Sequence, residues 1–188
     1  MELCAAILMR CVKSGCFQKL EMIGFNARIN MIIMFRKVRL NLGKTMQIHN
    51  IASEVFDAVR SVKQIEPFSK RGMQFSQSAA YAVAQKVADM RGGEILGRKI
   101  GFINRSIWPI YDVHEPIWAT MTNETIEYTE TGHAVVSLSK FCEPRIEPEI
   151  VIGLSQSPPR SPSLEDMAEC VGWIAPGFEI VDSIYPNW

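Results

Sequence analysis

The fold of this chain is best inferred from the segment Glu143-Pro-Arg-Ile-Glu-Pro-Glu-Ile-Val-Ile-Gly153. Within it, Glu147 and Glu149 lie two positions apart and lead into a β-branched run, which favours a strand. Side chains at i and i+2 of a strand project from the same face, so both carboxylates point the same way. Downstream, Glu179 lies inside the apolar segment Gly177-Phe-Glu-Ile-Val181, where a carboxylate loses hydration. Three like charges on two strands predict a compensating divalent cation, and all-oxygen ligands favour Mg²⁺ or Mn²⁺.

A plainer interpretation of the same residues stays open. A Glu-x-Glu pair at the start of a strand commonly lines a solvated face and binds nothing. Glu179 argues against this interpretation for the set as a whole, because an acid between Phe178 and Ile180 is difficult to keep hydrated.

The composition is that of an ordinary globular protein. The 188 residues are 47% hydrophobic and 21% charged, which is enough for one domain with a sizeable core. The formal net charge is zero, which gives no overall attraction to nucleic acid or to an anionic membrane. The five cysteines form no Cys-x-x-Cys pair or Cys/His cluster, which predicts reduced thiols and a cytoplasmic location. No apolar stretch is long enough to suggest a transmembrane helix.

Residues 1–45 differ from the rest of the chain. They contain eight basic and two acidic residues, a net charge of +6, whereas the remaining residues have a net charge of −6. We predict that this basic leader lies outside the fold, as a non-native extension ahead of a start at Met46. A transit peptide and a basic helix on a membrane surface are the alternatives. A nucleic-acid role is not expected, because no aromatic platform accompanies the charge.

The chain after the leader divides into a helical region, residues 46–96, and a mainly β region, residues 97–188. Apolar positions recur at helical spacing over residues 49–60, and a second helix is predicted from Ser76 to Met90. Ser163 is predicted to cap one further helix. The remaining strands are predicted at residues 97–105, 117–121, 125–128 and 133–138.

Lys99 and Arg105 are the candidate cationic residues of the strand predicted at residues 97–105. Lys99 has small and apolar neighbours, so its ammonium would lose hydration and could serve as a base. A lysine that extends to solvent from an edge strand is the plainer alternative. Arg105 follows where the strand should end and suits bidentate contact with a carboxylate, although a surface arginine is the commoner outcome.

Four motifs follow one another in order along the chain. They are Gly-Arg-Lys-Ile-Gly-Phe-Ile-Asn-Arg (97–105), Ile-Trp-Pro-Ile-Tyr-Asp-Val-His-Glu-Pro-Ile-Trp (107–118), Glu-Pro-Arg-Ile-Glu-Pro-Glu-Ile-Val (143–151) and Phe-Glu-Ile-Val-Asp-Ser-Ile-Tyr-Pro-Asn-Trp (178–188). Together they resemble the 2-keto-4-pentenoate hydratase / 4-oxalocrotonate decarboxylase group of the fumarylacetoacetate hydrolase superfamily. The resemblance covers roughly residues 46–188 and does not include the basic leader.

The resemblance implies an α+β fold, a mixed β-roll of the fumarylacetoacetate hydrolase type with N-terminal helices. It implies a divalent metal, Mg²⁺ or Mn²⁺, held by Glu147, Glu149 and Glu179, the carboxylates that the strand pattern also singles out. Lys99 matches the group's lysine, and we expect it to transfer a proton or to orient the substrate carboxylate. We expect anion contacts from two arginines, Arg105 and Arg145.

The activity implied by the resemblance is that of a hydratase, a hydro-lyase that adds water to a 2-hydroxy-2,4-dienoate / 2-oxo-4-enoate in aromatic meta-cleavage catabolism. Decarboxylation of the 4-oxalocrotonate type and acylpyruvate hydrolysis are the alternatives within enzymes. The second is disfavoured because no Glu-His or Asp-His dyad accompanies the motifs. We expect a homo-oligomer that acts on a small 2-oxo acid. Members of the group usually continue beyond the Tyr-Pro-x-Trp motif, so we expect the roll to be incomplete at the C-terminus, and a non-catalytic remnant is the alternative of another class.

Overall fold

A computed structural model describes the backbone of residues 6–12, 42–112 and 114–187, and side chains from residue 47 onward. The strands are β1 Ala6–Val12, β2 Ile95–Gly101, β3 Ile117–Thr122, β4 Ile126–Thr129, β5 Arg145–Leu154 and β6 Val171–Asp182. The helices are α1 Leu42–Arg60, α2 Gln77–Arg91, α3 Trp108–Tyr111 and α4 Leu164–Cys170, with 3₁₀ turns at Arg105–Ile107 and Leu138–Lys140. Within these described ranges, none of the helices is both long and apolar enough to span a membrane.

Helices α1 and α2 pack together and form the apolar core. The i, i+3/i+4 spacing of apolar residues gives each helix one apolar face, and the two faces meet. The prediction of a helix from Ser76 to Met90 is confirmed: the Ser76 side chain accepts a hydrogen bond from the N–H of Ala79 (3.2 Å), and Gly92 ends the helix at a positive φ of 74°. The buried residues of this core are Ile51, Ala52, Val55, Ala58, Phe68, Val83, Val87, Ile184 and Tyr185.

The segment after β6 ties the β part of the molecule to the helices. Ile184 and Tyr185 are buried in the helical core, and the N–H of Ile65 donates to the carbonyl of Ile184 (2.8 Å). The ring of Tyr81 on α2 stacks on Trp118 of β3, with the ring centroids 5.0 Å apart. These contacts hold β6 and β3 at defined places against the helices.

The strands form two sheets. A four-stranded sheet has the order β4-β1-β6-β5, and β2 and β3 form a separate antiparallel pair. Strands β5 and β6 are antiparallel, in a register that pairs Glu147 with Glu179 and Glu149 with Gly177. Helix α4 connects them and begins with a capping box at Ser163, which confirms the predicted cap.

Two predictions from the sequence differ from the structure. Residues 6–12 of the basic leader pair with β6 on one side and β4 on the other, so this part of the leader belongs to the sheet rather than lying outside the fold. This segment is almost wholly apolar, which suits a strand between two neighbours. Residues 133–138 are not a strand but an exposed segment. The hydroxyl of Thr129 donates a hydrogen bond to the carbonyl of His133 at its start (2.7 Å). The other domain boundaries stay predictions.

Candidate metal centre

The register between β5 and β6 brings three carboxylates together. Glu147 lies directly opposite Glu179, and Glu149 is two residues further along β5 on the same face. One carboxylate oxygen of each residue lies within 4.8 Å of one oxygen of the other two. The convergence expected from the strand pattern is therefore present in the structure.

The cluster is buried at one end and open at the other. The side chain of Glu179 is 0% exposed, that of Glu149 is 29% exposed and that of Glu147 is 54% exposed. Like charges directly opposite each other on neighbouring strands are destabilising, and burial strengthens their repulsion. Within the part of the chain that the structure describes, neither carboxylate oxygen of Glu179 accepts a hydrogen bond of ordinary geometry. Glu179 thus needs a cation near it.

Lys99 reaches the cluster from the other sheet. Its Nζ contacts Oε2 of Glu179, lies 3.1 Å from Oε1 of Glu149 and 3.8 Å from Oε2 of Glu147. The Lys99 side chain is only 15% exposed, so the alternative that it extends into solvent is wrong. The three carboxylates and one ammonium leave a formal charge of −2 in this cluster.

The residues fit a divalent cation. Each glutamate offers an oxygen, which is the ligand that Mg²⁺, Mn²⁺ and Ca²⁺ prefer. The buried carboxylate without ordinary hydrogen bonds, Glu179, supplies unused acceptor capacity at the base of the site. The residual charge of −2 equals the charge that a dication neutralises. The cluster is open on the side of Glu147, the most exposed of the three glutamates.

The two predicted arginines lie at different places. Arg145 is exposed on β5, two residues before Glu147 and therefore on the face of the strand that carries the cluster. Arg105 is exposed in the turn after β2, and its guanidinium lies 5.6 Å from the centroid of the Trp108 ring. Their roles in substrate binding stay predictions.

Asp182, which the sequence reasoning did not single out, supports the site from β6. Its side chain is buried and accepts hydrogen bonds from the backbone N–H groups of Cys142 (3.1 Å) and Glu143 (2.8 Å). These residues lead directly into β5, so Asp182 helps to fix the start of that strand and thereby the positions of Glu147 and Glu149. Partial burial raises the pKa of the Cys142 thiol, and the charges of Asp182 and Glu143 raise it further. The signal in the sequence was an acid that directly follows the apolar run of β6.

Comparison with known proteins identifies relatives of one enzyme group. The chain is 26% identical over 146 residues to 2-hydroxyhexa-2,4-dienoate hydratase of Comamonas testosteroni, covering 75% of this chain and 54% of that protein. It is 27% identical over 154 residues to 2-hydroxypent-2,4-dienoate hydratase of Pseudomonas putida, covering 78% of this chain and 67% of that protein. No family model matches the chain. The chain thus spans between about half and two thirds of the length of these relatives.

A solved structure shares the fold. 4-Oxalocrotonate decarboxylase from Pseudomonas putida G7, in complex with magnesium and adipate, superposes with a TM-score of 0.65 at 23% identity, covering 77% of this chain and 55% of that one. The same enzyme in complex with calcium and acetate gives a TM-score of 0.67 at 24% identity, covering 75% and 55%. The architecture is thus an α+β fold of the decarboxylase type with a candidate site for a divalent metal. The curated relatives are named as hydratases of the 2-keto-4-pentenoate type and as 4-oxalocrotonate decarboxylases, which is the group that the four sequence motifs resemble.

Proposed function

We propose that this chain is a metal-dependent hydratase that adds water to a 2-hydroxy-2,4-dienoate or its 2-oxo-4-enoate tautomer. The observation that carries the proposal is the convergence of Glu147, Glu149 and the fully buried Glu179 within 4.8 Å. The names of the curated relatives support the substrate class. The proposal includes aromatic meta-cleavage catabolism as the setting and a mixed β-roll of the fumarylacetoacetate hydrolase type as the fold.

In this proposal the three glutamates hold Mg²⁺ or Mn²⁺. The metal would supply Lewis-acid stabilisation of negative charge on the oxygens of a 2-oxo acid. Lys99 transfers a proton or orients the substrate carboxylate, since it reaches the site from β2. Arg145, on the face of β5 that carries Glu147, attracts the anionic substrate to the open end, and Arg105 is the weaker candidate for a second anion contact.

A steady-state assay tests this function. The 188-residue chain, supplied with Mg²⁺ or Mn²⁺, should consume 2-hydroxypenta-2,4-dienoate. The loss of ultraviolet absorbance of the dienoate measures the rate. Glu147→Gln should abolish turnover because it removes one ligand charge, while Glu130→Gln, an exposed carboxylate outside the cluster, should retain it. Metal binding without any decay of the dienoate would contradict the hydratase and favour a non-catalytic remnant.

Decarboxylation is the second candidate function, because the relatives include 4-oxalocrotonate decarboxylases. The two reactions are distinguished by their products. A decarboxylase releases one CO₂ for each 2-oxo dicarboxylate consumed, whereas a hydratase yields a hydroxylated 2-oxo acid and no CO₂. Measuring CO₂ from 4-oxalocrotonate alongside the dienoate assay therefore assigns the reaction.

We also propose that the chain is a homo-oligomer. Apart from the buried Asp182, the face of β5 and β6 opposite the cluster has no charged side chain, and its exposed members include Ile146, Pro148, Ile150, Ile152, Ile174, Pro176 and Phe178. Such a face can meet its own copy across a two-fold axis without opposing like charges. Light scattering should give a multiple of 21.2 kDa, and Ile150→Asp should reduce it. A cytoplasmic location stays a prediction, in keeping with the free thiols of Cys142 and Cys170.

A further inference from the structure

The ammonium of Lys99 lies where the three carboxylates converge. It contacts Glu179, lies 3.1 Å from Glu149 and 3.8 Å from Glu147, and reaches them from β2, a strand of the other sheet. Its environment is almost closed, because its side chain is 15% exposed and that of Glu179 is 0% exposed. In this arrangement Lys99 is the counter-ion that allows the glutamates to lie side by side.

A divalent metal bound by the same glutamates needs the same place. Mg²⁺ binds its oxygen ligands at about 2.0–2.1 Å, so a metal that touches all three carboxylates must lie at their convergence. A metal at the convergence would lie directly beside the Lys99 ammonium. Two cations so close to each other repel strongly in a poorly hydrated site. The metal and the Lys99 ammonium therefore exclude each other.

The surroundings of Lys99 provide room for its side chain to leave. Gly97 and Gly101 flank it at i−2 and i+2, on the same face of β2, and neither has a side chain. A Cβ added at Gly97 would meet nothing within 4 Å, whereas one added at Gly101 would lie 3.7 Å from Cε of Lys99. The Lys99 side chain thus leans over Gly101 and has open space toward Gly97.

We infer that Lys99 is an exchangeable internal counter-cation, which holds Glu147, Glu149 and Glu179 together and leaves the cluster when a divalent metal enters. The inference rests on the proposed metal centre and adds a role for Lys99 that is separate from proton transfer. It predicts that the affinity for the metal is limited by the displacement of the ammonium. It also predicts that the stability of the folded chain without metal depends on Lys99.

The first test compares Mg²⁺ binding and thermal unfolding of the wild-type chain and Lys99→Met. Without metal, Lys99→Met should unfold at a lower temperature, because the carboxylates lose their counter-ion. With Mg²⁺ it should gain a larger rise in melting temperature and bind the ion roughly tenfold or more tightly by calorimetry, since a charge-assisted contact no longer competes. The charge control is Arg98→Gln: Arg98 points to the other face of β2, over the ring of Trp118 (5.3 Å), and its loss should leave both quantities unchanged.

The second test uses only the wild-type chain, and so does not depend on how the variant folds. Lysine acetylation by a water-soluble reagent, read residue by residue by mass spectrometry, should modify Lys99 slowly without metal and at least severalfold faster with saturating Mg²⁺. The exposed Lys63 is the internal reference and should react equally in both conditions.

The outcomes separate this inference from the proposed function. Equal Mg²⁺ affinity of wild type and Lys99→Met, or unchanged or slower labelling of Lys99 while Mg²⁺ binds, would overturn the exchange and leave the metal centre standing. Failure of both chains to bind Mg²⁺, Mn²⁺ or Ca²⁺ would overturn the metal centre and the exchange together.

Discussion

Strand β6 buries two carboxylates three residues apart, and the structure stabilises them in different ways. Asp182, 3% exposed, accepts hydrogen bonds from two backbone N–H groups, those of Cys142 and Glu143. Glu179, 0% exposed, lies opposite Glu147 and is contacted by the ammonium of Lys99. The two side chains point to opposite faces of the strand, so each meets a different environment.

The kind of partner separates the buried acid with a structural role, Asp182, from the one that we propose as a metal ligand, Glu179. Backbone N–H groups are fixed donors, and a carboxylate that accepts two of them is satisfied without further partners. Lys99 is a flexible donor, and the cluster around Glu179 keeps an excess of negative charge after Lys99 is counted. Burial is common to both acids, whereas the kind of partner distinguishes them.

The largest effect is expected from Glu179→Gln, which tests this distinction directly. Loss of a group that merely orients a metal ligand costs roughly 10–100-fold in affinity, so loss of a charged ligand should weaken Mg²⁺ binding roughly a hundredfold or more. Calorimetry measures the dissociation constant. The matched control is Asp182→Asn in the same strand, which removes no proposed metal ligand and should weaken Mg²⁺ binding at least tenfold less than Glu179→Gln does. Similar losses in both variants would remove the distinction between the two acids.

The next largest effect is on stability, and it is expected from Asp182→Asn rather than from a change at Glu179. Asp182→Asn keeps one acceptor oxygen but turns an amide N–H₂ toward one of the two backbone donors. The free energy of unfolding should therefore fall by about 2 kcal/mol. Urea denaturation of the metal-free chain measures it, and Glu130→Gln provides an exposed carboxylate for reference. Unchanged stability of Asp182→Asn would show that the N–H groups of Cys142 and Glu143 do not depend on the carboxylate.

The local part of this site could be predicted from the sequence. The period of two along β5 places Glu147 and Glu149 on one face, and the apolar neighbours of Glu179 indicate burial. Helix caps were predictable for the same reason: Ser76 and Ser163 bond to backbone within three residues.

The non-local part could not. The pairing of Glu147 with Glu179 depends on the register of two strands that are separated by a loop and a helix, and no local pattern specifies a register. The contact of Lys99 with the cluster depends on how two sheets face each other. The exposed segment at residues 133–138 shows the opposite failure, because a strand-like composition does not supply a partner strand.

A third and smaller effect concerns the far end of the face that carries the cluster. There the indole ring of Trp173 lies over Gly153, its partner in the β5–β6 register, and a Cβ at that glycine would overlap the ring. Gly153→Ala should lower the free energy of unfolding by about 1–2 kcal/mol, because the ring must shift. Gly97→Ala is the matched control, since its added Cβ meets nothing within 4 Å. Equal stability of the two variants in urea would show that Trp173 moves freely and does not close this end.

The smallest effect is a dependence of stability on pH, which arises from the Cys142 thiol beside Asp182. Burial, followed by the charges of Asp182 and Glu143, raises the pKa of the Cys142 thiol in the folded state. The folded chain therefore holds this proton more tightly than the unfolded chain, whose thiol has its ordinary pKa of about 8.5. The stabilisation is fully present below that pH and is lost as the pH rises through the raised pKa. Urea denaturation under reducing conditions should thus show a steeper loss of stability above about pH 8.5 for wild type than for Cys142→Ser, since serine does not titrate there.

Asp182→Asn should lower the pKa of Cys142 and speed its alkylation at a fixed alkaline pH, while Glu179→Gln should not. Parallel pH profiles for wild type and Cys142→Ser would mean that the thiol keeps the same pKa in both states, and that the charge of Asp182 is screened from it.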